Sequence, residues 1–142
     1  MREVLGGYTM AEMKLVISTK DGKSYQREVK DNQAESLLGK RIGETVTGDT
    51  VGLDGYEFVI SGGTDSAGFP MRKDIQGAGR KRILAVKGVG VRKKRHGQRQ
   101  RKTVAGNRIH ENTAQINLKV IKEGKAKLGG EEEAASEEGA EK

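Results

Sequence analysis

The sequence predicts a mainly β fold of short strands with one short helix, followed by a basic extension and a disordered acidic C-terminal tail. Three observations lead to this prediction. Short β-branched and aromatic runs alternate with Gly-Asp and Asp-Gly pairs, a long basic stretch contains no acidic residue, and the chain ends in a block of glutamates. Short alternating strands of this kind fit a compact barrel or a sandwich equally well.

Length and composition limit the size of this fold. A chain of 142 residues falls in the range of one domain. Hydrophobic residues make up 33% of the chain and 21 residues are glycine, so little apolar area can be buried and loops are many. No cysteine is present, which excludes a disulfide framework and a Cys-ligated metal site. We therefore expect a partner to supply part of the stability.

The first predicted elements are a hairpin and a helix. After an aperiodic extension at residues 1–12, an apolar run begins at Met13 and a second strand-like run covers residues 24–29, with an Asp21-Gly22 turn pair between them. Residues 32–41 carry the helical signal, with Asn32 as the N-cap and Gly39 as the stop.

Later strands are predicted by alternation of apolar residues. Residues 82–88 and 114–124 form two such runs, and another follows the Asp54-Gly55 turn. In the run after the Asp54-Gly55 turn and in the run at 114–124, the inward-facing positions are Tyr56, Phe58, Ile60, Ile116, Leu118 and Val120.

Charge is unevenly distributed along the chain. The whole sequence holds 27 basic and 20 acidic residues, which gives a formal charge of +7 and a pI near 9.7. Residues 131–142 hold six Glu and one Lys, so the first 130 residues carry 26 basic and 14 acidic groups. No apolar run approaches the ~18 residues of a membrane span, and no signal-peptide pattern opens the chain. We expect a cytoplasmic protein.

A basic block predicts the partner. Between Asp74 and Glu111 no residue is acidic and twelve are basic, whereas a solvated surface normally mixes the two signs. Nucleic acid is favoured over a merely solvated face, because a polyanion gains from each counterion that is displaced. Its densest part, residues 91–102, is expected to be mobile until neutralised. Seven of the twelve are Arg, aromatic residues are few and no DNA-recognition motif is visible, which favours contacts to the backbone and shape of folded RNA.

The predicted RNA-binding residues extend from the segment before the block to its end. Arg92 to Arg95 are the foremost candidates. The complete set is Arg72, Lys73, Arg80, Lys81, Arg82, Lys87, Arg92, Lys93, Lys94, Arg95, Arg99, Arg101, Lys102 and Arg108.

Catalytic motifs are incomplete in this sequence. Gly63 and Gly68 have P-loop spacing, but Phe69-Pro70 stands where that loop needs Lys and Ser or Thr. Lys93 occupies the third glycine position of a dinucleotide fingerprint. The two histidines, His96 and His110, have no partner with metal-ligand spacing. The sequence therefore predicts no enzyme, no cofactor and no metal site.

A specific run at residues 60–71, ISGGTDSAGFPM, resembles the S-six-e family of small-subunit ribosomal proteins, found in archaea and eukaryotes. The segment at 82–88, the basic run at 90–106 and the strand at 116–124 agree with that family, and the resemblance covers about residues 13–125. It resembles an archaeal member, because the long serine-bearing C-terminal helix of eukaryotic members is missing. The family-marker residues are Gly62, Gly63, Asp65, Gly68, Phe69, Pro70 and Met71.

The resemblance implies a small barrel-like domain with a basic extension, bound to ribosomal RNA and neighbouring ribosomal proteins, without catalytic residues. In the marker loop, Gly62 and Gly63 would permit a tight exit from the preceding strand, and Phe69-Pro70 would anchor the loop. Loop shape is favoured over direct RNA contact for the marker, whereas Arg72 and Lys73 are better contact candidates.

These observations predict four parts: an extension at 1–12, a β-barrel-like domain at 13–90, a basic RNA-binding arm with a returning strand at 91–128, and a disordered acidic tail at 129–142. The predicted function is a structural constituent of the small ribosomal subunit that binds ribosomal RNA and supports translation. The alternative is a mobile RNA-binding factor of translation or RNA processing. Stoichiometry with the small subunit distinguishes the two.

Overall fold

Seven strands and one α-helix are present in the part of the chain that the computed structural model describes, residues 12–30, 32–125 and 128. A 3-10 helix, Gly48–Val51, follows the third strand. In chain order the elements are β1 (Glu12–Ser18), β2 (Ser24–Lys30), α1 (Asn32–Leu37), β3 (Thr45–Thr47), β4 (Glu57–Asp65), β5 (Arg80–Ala85), β6 (Gln100–Ala105) and β7 (Thr113–Lys122).

Five of the strands form one sheet in the order β2-β1-β7-β4-β3. The last strand, β7, lies in the middle, parallel to β1 and antiparallel to β4. The sheet curls into a half-barrel, so the predicted mainly β, barrel-like fold is confirmed. β5 and β6 pair with each other in a separate two-stranded sheet.

The opening hairpin and the helix form where the sequence predicts them, with one correction. Residues 19–23 connect β1 to β2, and Gly22 adopts a φ of 89° there. The helix ends at Leu37, two residues before the predicted stop at Gly39, which has a φ of 83°. The Gly39 amide then donates to the Ile109 carbonyl at 3.0 Å. The correction concerns Asn32, which is the first helical residue and not the N-cap; the position before it lies outside the described residues.

The core lies on the concave side of the sheet. The predicted inward positions of β4 and β7 are confirmed, since each is at most 7% exposed. Tyr56 and Phe58 stack with ring centroids 5.7 Å apart. Helix α1 covers one part of this core with Ala34 and Leu37. The largest side chains that are fully buried are Phe58, Met13, Leu15, Ile17, Leu37, Leu53, Ile60, Ile109, Ile116 and Leu118.

The ends of the chain are described only in part. Glu12, the last residue of the predicted extension, belongs to β1 and pairs with Lys30. Residues 1–11 and the predicted acidic tail at 129–142 lie outside the described residues. Within the described ranges, no helix has the length and hydrophobicity that a membrane crossing requires.

Candidate nucleic-acid interface

The predicted basic block folds as a two-stranded hairpin, residues 80–105. The predicted strand at 82–88 begins earlier, at Arg80, and ends at Ala85. Its partner β6 was not predicted, because its first half is basic and lacks apolar alternation. The two strands pair in register from Arg80 opposite Ala105 to Ala85 opposite Gln100. Ordered backbone pairing therefore extends into the segment that composition alone predicts to be mobile.

The two faces of the hairpin differ in character. Opposite residues share a face, so Leu84 stands beside Arg101 on the outer face, where it is 55% exposed. On the other face Val104 is fully buried. A loop from β5 to β6 folds over this second face at Gly90, where an added Cβ would lie 3.2 Å from Cγ1 of Val104 and 3.0 Å from Cγ of Pro70.

The connecting loop, residues 86–99, carries the densest charge. Two turns shape it: the Val91 amide donates to the Gly88 carbonyl at 3.2 Å, and the Gln98 amide donates to the Arg95 carbonyl at 3.4 Å. The amide of the Gln100 side chain donates to the Arg92 carbonyl at 2.6 Å. All basic side chains of this loop are exposed: Lys87, Arg92, Lys93, Lys94, Arg95 and Arg99.

A buried carboxylate fixes the start of the hairpin. Arg80 Nε donates to Oδ2 of Asp65, whose side chain is 1% exposed. The Ser66 amide donates to the other oxygen, Oδ1, and the Arg80 guanidinium lies 5.2 Å from the centroid of the Phe69 ring. The hydrogen bond from Arg80 lowers the pKa of Asp65, against the opposing effect of burial. The ion pair and the cation–π contact therefore join β5 to the marker loop.

A second intramolecular clamp holds the loop near its start. Arg72 donates through Nε and Nη2 to both oxygens of Asp74, at 2.9 and 2.8 Å, and through Nη1 to the Val89 carbonyl at 2.8 Å. Its side chain is only 12% exposed. The hydrogen bond to Asp74 raises the pKa of Arg72 and lowers that of Asp74. The Arg72 guanidinium therefore forms its hydrogen bonds within the protein.

The fourteen predicted RNA-binding residues therefore fall into two groups. Arg72 and Arg80 form ion pairs with acidic residues. The other twelve are exposed and form no ion pair with any described residue. The ion-pair roles of Asp65 and Asp74 were not predicted. Their partners, Arg80 and Arg72, were both assigned to RNA binding, and Arg80 lies 15 residues from Asp65 in the sequence. No RNA is present, so contact between RNA and these residues stays a prediction.

The marker glycines lie inside a strand. The prediction that Gly62 and Gly63 form a tight exit from the strand is wrong, because β4 continues to Asp65. The register of β4 against β7 shifts between Ile60 and Gly62, and an added Cβ at Gly63 would lie 2.6 Å from the Gln115 carbonyl oxygen. Close approach of the neighbouring strand thus requires this glycine.

The marker loop folds back after β4. The Asp65 amide donates to the Phe69 carbonyl and the Met71 amide donates to the Gly63 carbonyl, both at 2.9 Å. Residue 71 then forms a parallel bridge with Ala105 of β6. The marker residues therefore connect the main sheet to the hairpin through the backbone.

Metal-binding geometry is not found among the described residues, where no three His, Cys, Asp or Glu side chains cluster. His96 is exposed in the basic loop, and Nδ1 of His110 lies 3.2 Å from the Thr113 hydroxyl.

Comparisons with known proteins agree on one family. A family model described as Ribosomal protein S6e matches residues 13–132. Among similar curated proteins, each described as small ribosomal subunit protein eS6, one from Methanococcus maripaludis is 45% identical over 88% of this chain and 98% of its own length. Another from Natronomonas pharaonis is 43% identical over 87% of this chain and 99% of its own. One from Methanocaldococcus jannaschii is 46% identical over 80% of this chain and 85% of its own length.

Proposed function

Because the chain belongs to the ribosomal protein S6e family, we propose that it is a structural constituent of the small ribosomal subunit that binds ribosomal RNA through its hairpin and supports translation. The resemblance indicated by residues 60–71 is confirmed at the level of the family, and the relatives are archaeal. The observation that carries the RNA-binding part is the set of twelve exposed basic residues without ion pairs, most of them on the hairpin.

The mechanism of binding is charge neutralisation by a partly ordered element. Like charges concentrated on one hairpin repel one another in the free protein, and phosphates relieve that repulsion. Arginine forks such as that of Arg92 bind a phosphate through two hydrogen bonds and also stack on bases. Tyr56 and Phe58 are buried in the core, so these aromatic rings cannot serve as base-stacking platforms. The burial of these two rings supports recognition through the backbone and shape of folded RNA.

The same proposal assigns the partners and the location. The chain contacts small-subunit ribosomal RNA and neighbouring ribosomal proteins, and it works within cytoplasmic ribosomes. It needs no cofactor and catalyses no reaction, since its relatives are described as ribosomal proteins. The protein neighbours would cover surface that the free chain leaves exposed, such as Ile121 at 44% exposure.

A charge-removal experiment tests the hairpin. Changing Arg92, Lys93, Lys94 and Arg95 together to Ala should weaken binding to small-subunit ribosomal RNA transcribed from the genome that encodes this chain. If all four contact phosphates, the slope of log K against log salt should fall by about 3. Thermal unfolding should change little, because all four side chains are exposed.

The matched control removes four other exposed charges. Lys14, Lys20, Lys23 and Lys119 lie on β1, β7 and the β1–β2 turn and form no ion pair with described residues. Their replacement by Ala should lower the salt slope far less. Equal slopes for the hairpin variant and the wild type would refute RNA binding by the hairpin.

Sedimentation of a cell lysate distinguishes the structural role from the mobile-factor alternative. A structural constituent should accompany the small subunit at about one copy after a moderate-salt wash. A chain found mostly in the light fractions would refute the structural role and favour a mobile RNA-binding factor.

A further inference from the structure

Three distant chain segments bring four basic residues together at the base of the hairpin. Arg41 and Arg108 stand opposite each other in an antiparallel bridge. Hydrogen bonds hold the backbone on both sides of this bridge: the Ile109 amide donates to the Lys40 carbonyl at 2.8 Å, and the Ile42 amide donates to the Asn107 carbonyl at 3.0 Å. The relative position of the two arginines is therefore fixed.

Lys73 joins them from the third segment. Nδ2 of buried Asn107 donates to the Lys73 carbonyl at 3.2 Å, which ties this backbone to the residue before Arg108. Nζ of Lys73 lies 3.7 Å from the point where a Cβ on Gly43 would stand, two residues after Arg41. We call Lys40, Arg41, Lys73 and Arg108 the basal cluster.

The basal cluster has no acidic partner among the described residues. None of its four members takes part in an ion pair there. Arg41, Lys73 and Arg108 are exposed, and the side-chain hydrogen bond of Arg108 is a long one, from Nε to the Gly39 carbonyl at 3.3 Å. Like charges directly opposite each other on paired strands destabilise the pair. Repulsion between these like charges therefore lowers the stability of the free protein, and a bound anion would relieve that repulsion.

The basal cluster and the Arg92–Arg95 stretch of the connecting loop are separate surfaces at opposite ends of the hairpin. The Gln100 side chain, at the first residue of β6, donates to the Arg92 carbonyl, whereas Arg108 follows the other end of β6 at Ala105. The five residue steps from Gln100 to Ala105 span roughly 17 Å at about 3.3 Å per residue. This distance exceeds the ~8 Å Debye length at physiological salt, so the two surfaces do not act as one charge. A polyanion that occupies both surfaces must therefore contact each of them with a different stretch of its backbone.

We propose that the basal cluster is a second phosphate-binding surface, which holds a stretch of ribosomal RNA backbone other than the one bound by Arg92–Arg95. Arg41 and Lys40, which the sequence does not single out, are then RNA contacts in addition to Lys73 and Arg108. Phosphate is the ligand class, because two guanidinium forks and two ammonium groups present donors and no charged acceptor. This inference rests on the proposed RNA-binding function.

The test replaces Arg41 and Arg108 together by Gln and measures binding to the same small-subunit ribosomal RNA at several salt concentrations. Two lost phosphate contacts should weaken binding roughly tenfold or more near physiological salt and lower the salt slope by about 1.4 to 1.8. The double variant Arg41→Lys and Arg108→Lys keeps the charge and should retain the wild-type slope. Lys20→Gln with Lys23→Gln removes two exposed charges from the β1–β2 turn and should leave the slope nearly unchanged.

A second readout excludes a merely structural role. Arg41→Gln removes one of two opposed like charges, so the free protein should unfold at the wild-type temperature or above it while its RNA affinity falls. Because Arg108 also donates to the Gly39 carbonyl, Lys73→Gln provides an additional variant if the double variant is unstable. Lys73→Gln should lower the salt slope by about 0.7 to 0.9 without lowering the unfolding temperature.

The outcomes separate this inference from the function on which it rests. A normal slope for the basal-cluster variants beside a reduced slope for the Arg92–Arg95 variant would overturn the second surface and leave the proposed function standing. Normal slopes for both would overturn both. Reduced slopes for both, with the lysine control unaffected, would establish two surfaces.

Discussion

Nε of Arg80 donates a hydrogen bond to Oδ2 of Asp65, and this contact joins the first residue of the hairpin to the last residue of β4. Asp65 is buried, whereas the Arg80 side chain is 45% exposed and lies against the Phe69 ring. A buried carboxylate therefore lies next to a hairpin that itself contains no acidic residue. Its physical role is to orient the hairpin relative to the sheet.

Replacing Asp65 by Asn provides a prediction in which charge and geometry have opposite effects. The variant gains one unit of net positive charge, which by itself should strengthen RNA binding. Loss of the ion pair should instead let the hairpin move, so that RNA binding must order it. We expect the dissociation constant for small-subunit ribosomal RNA to rise by roughly three- to tenfold.

Glu28→Gln is the control for this variant. Glu28 is exposed on β2 and forms no ion pair with described residues, so its replacement changes the net charge equally without touching the hairpin. It should leave binding unchanged or strengthen it slightly. Tighter binding by the Asp65→Asn protein would show that net charge alone governs affinity.

The same carboxylate makes stability depend on acid pH. The hydrogen bond from Arg80 lowers the pKa of Asp65 below its ordinary value of 3.8, so the unfolded chain binds the proton more readily than the folded one. The contribution of this pair is complete above about pH 4 and is lost as pH falls through the folded pKa. The difference in free energy of unfolding between wild type and Asp65→Asn should be constant from about pH 7 to about pH 5 and shrink below about pH 4.

Urea denaturation at several pH values measures this difference. Asp74, whose pKa is also lowered, by its hydrogen bonds from Arg72, is present in both proteins and contributes equally to their remaining pH dependence. A difference that persists unchanged at the lowest pH would mean that Asp65 stabilises the fold without its charge.

Arg72 should control the order of the connecting loop. Arg72→Gln removes the two bonds to Asp74 and the bond to the Val89 carbonyl, at a cost of about 1 kcal/mol in the free energy of unfolding. Backbone hydrogen exchange should increase at residues 88–91 more than in the main sheet. Arg72→Lys keeps the charge but cannot form the planar fork, and it should resemble the Gln variant. Wild-type exchange in the Lys variant would indicate that charge alone holds the loop.

The sequence predicts the main sheet well because alternation is a local signal. Phe58 and Ile60 on β4, and Leu118 on β7, are apolar at every second position, and this period places them on one face whatever the partner strand is. The Asp21-Gly22 pair marks the first hairpin for the same reason, since turn geometry depends on adjacent residues. Strand order could not be predicted, because it depends on contacts between distant segments.

Contacts across long sequence separations account for what the sequence did not reveal. The sequence shows no acidic partner close to Arg80, and only the fold brings Asp65 to it. Arg41 lies outside the basic block, and the bridge to Arg108 places it beside that block. The bond from Gly39 to Ile109 joins the end of helix α1 to a distant segment, and no local propensity contains it. Charge composition therefore predicts that the partner is a polyanion. Ion pairs and strand contacts within the fold decide which basic side chains are available to bind it.

Two neighbouring glycines of β4 allow a final prediction about the marker run. An added Cβ at Gly63 would meet the Gln115 carbonyl oxygen at 2.6 Å and Sδ of Met71 at 2.9 Å, whereas a Cβ at Gly62 meets nothing within 4 Å. Gly63→Ala should therefore lower the free energy of unfolding by about 1–3 kcal/mol, because the backbone of β7 must shift. Gly62→Ala should change it by no more than about 0.5 kcal/mol. Chemical denaturation of the two variants measures both values, and equal effects would mean that neither the close approach of β7 nor that of Met71 requires glycine at position 63.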